Sequence, residues 1–276
     1  MILLSIFEAL VAIKIMVVGG ALLVASVQDV RSREVSDKIW GIAVPVGLMM
    51  TLIEAIMTPG YPYMLALLSG IFSVALAFGI YYAGLYGGAD AKALAMIAAA
   101  LPLPPYGFLG ASPFFPLTVL GNGIILSLLL IPACLVWNVL FYLRGKPLFS
   151  GIVARWWEKL VAVLIGVRVK ASTAESVHFN LMERVKEDGK RGFRFIHKVE
   201  DEAEGAAEER EGGGGSASGV TERRDGMDEK GEVHMCEGYA YVWVTPAIPM
   251  IVFLFVGFVL YFFAGDFVFR IVTILL

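Results

Sequence analysis

Asp29 and Asp90 are the residues of this chain whose type and surroundings point most directly to chemistry. Asp29 closes a long apolar stretch, in Ala25-Ser26-Val27-Gln28-Asp29-Val30-Arg31-Ser32-Arg33, and Asp90 opens another, in Tyr86-Gly87-Gly88-Ala89-Asp90-Ala91-Lys92. A carboxylate at the edge of lipid is costly to keep charged, so an acid placed there is expected to have a use. Two carboxyl groups brought close cannot both ionise cheaply; they share a proton and titrate as a pair. The ionised member can take a proton from a water attacking a peptide carbonyl. The protonated member can donate to the carbonyl oxygen and then to the leaving amine. Gly87, Gly88 and the small Ala89 would let a substrate backbone approach closely, and glycine would permit a sharp bend. Asp37 is the rival for the first acid position, but it lies deeper in a charged loop, closer to bulk water.

The elements that must position such a pair are membrane spans. The chain is 58% hydrophobic and 17% charged, with a mean hydropathy of +0.75, more apolar than a soluble domain. Six stretches approach the roughly 20 apolar residues that a crossing needs: residues 8–28, 39–57, 63–85, 90–101, 117–142 and 246–264. The fourth is short and stops before Pro102, Pro104 and Pro105. The sixth has a start signal in Trp243-Val244-Thr245-Pro246, which reads as an interfacial aromatic, an N-cap hydroxyl and a proline at the first helical position. The first stretch lacks a basic leader and carries Glu8 and Lys14, so it reads as a retained span and not a removable signal peptide.

Arg31, Arg33 and Lys38 lie between spans one and two, and Arg144 and Lys146 follow span five, whereas residues 58–62 and 102–116 contain no Lys or Arg. The positive-inside rule then predicts a multi-pass protein of the cell membrane. Both termini lie outside, and the loops after spans one, three and five are cytoplasmic. Asp29 and Asp90 fall at the same cytoplasmic edge, a coincidence that the span count did not assume.

A polar insertion separates spans five and six. Ile152, Val153, Trp156, Trp157, Leu160 and Leu164 share one side of a predicted helix, and the apolar run from Leu160 to Val167 is too short to cross. An amphipathic helix at the membrane surface, or a small domain beneath it, is expected. Residues Gly192 to Val199 partly alternate, as a strand would. From residue 200 the chain turns acidic and glycine-rich, including Gly212-Gly213-Gly214-Gly215-Ser216, as a flexible linker would. The expected fold is an all-α polytopic membrane protein of six transmembrane helices with a small α+β cytoplasmic insertion between helices five and six. Its parts are residues 1–142, the insertion 143–199, the linker 200–237 and the last span with its tail, 238–276.

The remaining polar residues suggest little further chemistry. Cys134 and Cys236 form no CxxC, and His178, His197 and His234 lack metal-ligand spacing, so no metal and no cofactor are expected. The charges cluster between about residues 144 and 237, which argues against a nucleic-acid partner. Arg31 and Arg33 read as topology anchors. Lys92 reads as a snorkelling lysine or as a cation that favours ionised Asp90. Lys14 has no explanation from the sequence.

Gly87-Gly88-Ala89-Asp90-Ala91-Lys92 resembles the GxGD motif of membrane aspartyl peptidases. Gln28-Asp29-Val30-Arg31-Ser32-Arg33-Glu34-Val35-Ser36-Asp37 resembles its companion, an aspartate followed by a basic residue and an Ile/Val-x-Asn/Asp pattern. Together with Trp243-Val244-Thr245-Pro246, these motifs make the chain similar to the type IV prepilin peptidase family, and within it to the archaeal preflagellin (prearchaellin) branch. The resemblance implies an aspartic endopeptidase with Asp29 and Asp90 as its catalytic pair. Its partners would be preflagellin or prepilin-like precursors in the lipid bilayer, from which it would remove a short basic leader (a class III signal peptide) just before their hydrophobic helix. A basic leader would be drawn to Glu34 and Asp37. One position departs from the motif: Ala89 stands where the strict pattern has glycine, and alanine resists positive φ. Relatives that also methylate the new amino terminus tend to carry a cysteine-rich zinc region; its absence implies a peptidase without N-methyltransferase activity. Two other functions compete. A proton- or ion-coupled transporter could use the same acids, although both sit at one edge and the spans show no inverted repeat. A noncatalytic anchor with a cytoplasmic adaptor would leave both acid motifs without a role.

Overall fold

The computed structural model describes residues 2–105, 112–176, 179–185, 191–193, 240–246 and 250–275. His178, His197, His234, Cys236, the predicted linker and the predicted strand beyond Phe193 lie outside the described residues. Two compact units are present, one formed by Met1–Leu129 with Ile248–Leu276 and the other by Leu130–Ala247.

The first unit contains α1 (Ile2–Ser32), α2 (Asp37–Met57), α3 (Tyr63–Tyr82), α4 (Gly88–Ala100), α5 (Phe115–Leu128), α9 (Met250–Ala264) and α10 (Phe267–Leu275). Four runs, Glu8–Ser32, Asp37–Met57, Tyr63–Tyr82 and Phe115–Leu143, are long and apolar enough to cross a membrane. The pair α9 and α10, bent by 60°, makes a fifth if taken as one. Helix α4 has 13 residues, about 20 Å at the usual rise, against a hydrocarbon core of about 30 Å. The six predicted spans therefore correspond to four such runs, the bent pair and a helix too short to cross alone.

Helix α4 lies at the centre of this unit because its side chains are small. Ala91, Ala93, Met96, Ile97 and Ala100 are fully buried, and Val18, Leu22, Phe115, Leu254 and Phe258 complete the core around them. The outward faces of α2 and α3 carry Ile42, Ile56, Met64 and Ile71, all well exposed, as helices facing lipid do. Several polar groups inside the unit are paired. Lys14 on α1, almost fully buried, forms an ion pair with Glu54 on α2, which accounts for a lysine the sequence left unexplained. At the bend after α9, Asn122 of α5 donates to the Gly265 carbonyl at 3.0 Å and accepts from the Phe267 amide at 3.0 Å. Asp266 accepts from the Thr118 hydroxyl at 2.8 Å, the Ser112 amide at 3.2 Å and the Phe269 amide at 2.9 Å.

The second unit contains α6 (Leu130–Leu143), α7 (Trp156–Ile165), β1 (Val167–Lys170), α8 (Ala171–Ser176), β2 (Phe179–Leu181), β3 (Glu183–Val185), β4 (Arg191–Phe193) and β5 (Tyr241–Pro246). The strands form an antiparallel sheet in the order β1-β5-β2 and an antiparallel pair β3-β4. The start signal predicted at residues 243–246 is corrected here: these residues are the end of a strand, and α9 begins at Met250. The physical reason is the run Tyr-Val-Trp-Val, aromatic and β-branched, which fits a pleated half-buried surface and supplies the shared partner of β1 and β2. Trp243 is fully buried and not interfacial. Its indole donates to the Leu148 carbonyl at 2.9 Å and stacks on Phe149 at 5.4 Å. Beneath it lies a buried ion pair between Arg191 and Glu183, and Glu183 also accepts the Trp243 amide at 2.7 Å.

The amphipathic helix begins at Trp156, so Ile152 and Val153 precede it; Ile152 bridges to Arg191. Its apolar face is turned outward, with Trp156 77% exposed and Leu160 52% exposed, while Ala162 is buried.

Candidate active site

Asp29 stands one turn before the end of α1, and the local sequence fixes that end. Arg33 adopts a left-handed backbone with φ of +58°, and its amide closes the last turn on the Asp29 carbonyl at 3.1 Å. Its guanidinium lies near enough to Asp29 to interact electrostatically with it, a role beyond a topology anchor. The hydroxyl of Ser32 donates to the carbonyls of Gln28 and Glu34, and the Gln28 side chain accepts the Ser36 amide at 2.9 Å. The connection to α2 is therefore four residues long and tied to α1, and it delivers Asp37 to the first turn of α2.

Asp90 stands in the first turn of α4, where the helix dipole favours an acid. Its Oδ2 accepts the Gly87 amide at 3.2 Å, and the Ile251 amide of α9 also faces it. A Cβ at position 87 would lie 3.3 Å from that oxygen, so a larger residue there would press on the carboxylate. The sharp bend expected at Gly87 and Gly88 falls instead on Gly84, whose φ is +70°; neither Gly87 nor Gly88 has positive φ. Ala89 is helical, so its departure from the motif meets no backbone cost.

Asp29 and Asp90 come from different helices and are close enough to interact electrostatically. Ser26, one turn before Asp29, donates to the Ile251 carbonyl of α9 at 3.4 Å. The same α9 residue thus meets α1 through its carbonyl and α4 through its amide. Asp37 does not join this pair. It forms an ion pair with Lys92 at 2.6 Å, a partner for that lysine that the sequence did not suggest. Glu34 is exposed in the connecting loop. Tyr86 lies near Asp90 and Tyr81 packs beside Gly88, so two phenols flank the acid turn. Sequence reasoning missed Ser26 and Gln28, whose signal was present: both are polar residues in the last turns of an apolar span. Among the described residues no group of three or more His, Cys, Asp or Glu is arranged to hold a metal ion.

The site thus brings together two carboxyls, one from α1 and one from α4. Residues 16–131, which include both acids, match the profile of the type IV leader peptidase family, and residues 158–267 match that of the archaeal peptidase A24 C-terminus, type II. The chain belongs to the type IV leader peptidase family. Its relatives include a preflagellin peptidase of Methanococcus voltae, 26% identical over 256 residues, or 89% of this chain and 92% of that one. Another, from Methanocaldococcus jannaschii, is 24% identical over 261 residues, 91% and 93% of the two chains. A third, from Methanococcus maripaludis, is 32% identical over 149 residues, 50% of this chain and 64% of that one.

Proposed function

We propose that this chain is an aspartic endopeptidase of the membrane that removes the leader from preflagellin or prepilin-like precursors, with Asp29 and Asp90 as its catalytic pair. The observation that carries this reading is that two carboxyls, from α1 and α4, lie within electrostatic range of each other in a chain of this family. In the proposed reaction one carboxyl is ionised and the other protonated. The ionised group takes a proton from water as the water oxygen bonds to the scissile carbonyl carbon. The protonated group donates to the carbonyl oxygen. Collapse of the tetrahedral species breaks the C–N bond, and a proton passes to the leaving nitrogen. The products are a leader with a new carboxylate and a mature chain with a new amino terminus. The Gly87 and Ile251 amides hold the orientation of Asp90 while this happens.

The site lies at the cytoplasmic face, with α4 completing a six-helix plan and both termini outside. Glu34 and Asp37 attract the basic leader, and there is no N-methyltransferase activity. The test is mass spectrometry of a preflagellin-type precursor co-expressed with the wild type, Asp29→Asn or Asp90→Asn. The wild type should release the leader and leave an unmethylated terminus, and each variant should leave the precursor whole while still inserting in the membrane. Full cutting by either variant removes that residue from the mechanism.

A further inference from the structure

Helices α2 and α3 each pack on α4 and scarcely on each other, so one side of α4 stays uncovered. Ala89, Lys92, Ala95 and Ala99 are partly exposed, whereas Ala91, Ala93, Leu94, Met96, Ile97 and Ala98 between them are buried. Their spacing places them along one face of the helix. This face starts at the turn that holds Asp90 and ends, about 13 Å further along the helix, in a cleft of about 650 Å³ between α2 and α3. Leu48 and Leu52 form one wall, Leu67 and Ile71 the other, and Ala98 and Ala99 the floor. No charged side chain lines it, and its walls are open outward, with Leu67 59% and Ile71 61% exposed. At the other end of the open face the Lys92–Asp37 ion pair joins α4 to α2.

We infer that this groove seats the apolar helix of the precursor, the segment on the carboxyl side of the cut bond; the inference rests on the peptidase reading above. A backbone that leaves the two carboxylates and enters hydrocarbon must satisfy its own amides and carbonyls, so it is helical from that point. Such a helix needs a face to pack on that begins at the acid turn, and the alanine side of α4 is continuous with that turn. Its small side chains let a second helix approach closely. The charged mouth matches a polar segment just before the apolar one, so the groove reads the change from polar to apolar that defines the cutting site.

The test uses the full chain in lipid nanodiscs. A photoreactive benzoylphenylalanine at Leu67 in the Asp90→Asn background should capture the uncut precursor. Ala99→Phe, which fills the floor, and Ile71→Trp, which narrows an exposed wall and leaves the core untouched, should raise KM for the precursor by about tenfold with kcat little changed. A synthetic uncharged 20-residue helix without a leader, long enough to span (about 20 residues), should inhibit the wild type competitively and both variants weakly. Cross-links at Leu67 only to lipid or to a second copy of this chain, with KM unchanged in both variants, would overturn the groove as the substrate seat. Capture of the precursor by an enzyme whose wild type never cuts it would instead sink the peptidase reading and leave the groove standing.

Discussion

Helix α2 meets the end of α4 at Gly47 and Ala100, and one substitution there tests how tightly. A Cβ at position 47 would lie 2.5 Å from the Ala100 Cβ and 3.2 Å from the Ala100 Cα. Ordinary carbon contacts are about 3.5–4.0 Å, so Gly47→Ala must part the helices by about 1–1.5 Å. Thr51 bonds the Ala100 carbonyl at 2.7 Å across the same crossing, and that separation would break the bond. Overpacking costs about 1–3 kcal/mol and the lost hydrogen bond about 1 kcal/mol, so Gly47→Ala should lose about 2–4 kcal/mol of stability. Ala100→Gly removes the nearest atom. At the last helical position it should cost at most about 1 kcal/mol by itself. Combined with Gly47→Ala it should restore most of the loss, a coupling of about 1–3 kcal/mol. Reversible unfolding of the detergent-solubilised protein, with peptidase activity measured on the same samples, gives both quantities. Gly47→Ala as stable as wild type, or a double variant whose loss equals the sum of the two single losses, would refute the claim that backbone contact fixes this crossing.

Lys14→Met and Glu54→Gln should each destabilise the first unit by about 3 kcal/mol, because each leaves a charge buried without its partner. The double replacement Lys14→Met with Glu54→Leu should be closer to wild type than either single change in the same unfolding assay. Asp266→Asn, which weakens three charge-assisted bonds at the bend after α9, should cost about 1–3 kcal/mol, read as a lower melting temperature. In the second unit, Glu183→Gln should abolish the near-ultraviolet dichroism of Trp243, since Arg191 would be left buried against a neutral side chain. Lys146, whose ammonium lies 4.8 Å from the Tyr241 ring centroid, together with nearby Lys170 and Arg168, holds the Tyr241 phenol below its ordinary value. A lowered acid contributes stability only above its folded value, so Lys146→Gln should shift phenolate absorbance to higher pH and cost at pH 7 only the cation–π contacts with Phe141 and Tyr241, about 0.5–1 kcal/mol.

Residue types carried much of this architecture. Apolar runs marked α1, α2, α3 and the stretch 115–143, and the acids at their edges marked the turns that hold Asp29 and Asp90. What stayed illegible depended on contacts distant in the chain. The segment Trp243–Pro246 satisfies both a helix-start pattern and a strand pattern, and only pairing with β1 and β2 decides between them. Lys92 has two plausible local roles until α2 brings Asp37 beside it. Lys14 is inexplicable within α1 because its partner lies forty positions away on α2. Helix α4 is too short for a span by count, and only the bundle around it shows why: its alanines make it the packing axis.

The knot of Asn122, Thr118 and Asp266 has a consequence for the far end of α9. By supplying in side chains what the backbone loses at the bend, it makes α9 a strut of fixed length, 15 residues from Met250 to Ala264. The residue count along that strut is therefore constrained as well as its composition. One inserted residue would turn the Ile251 end by about 100° and displace it by about 1.5 Å, carrying the amide that faces Asp90 out of reach.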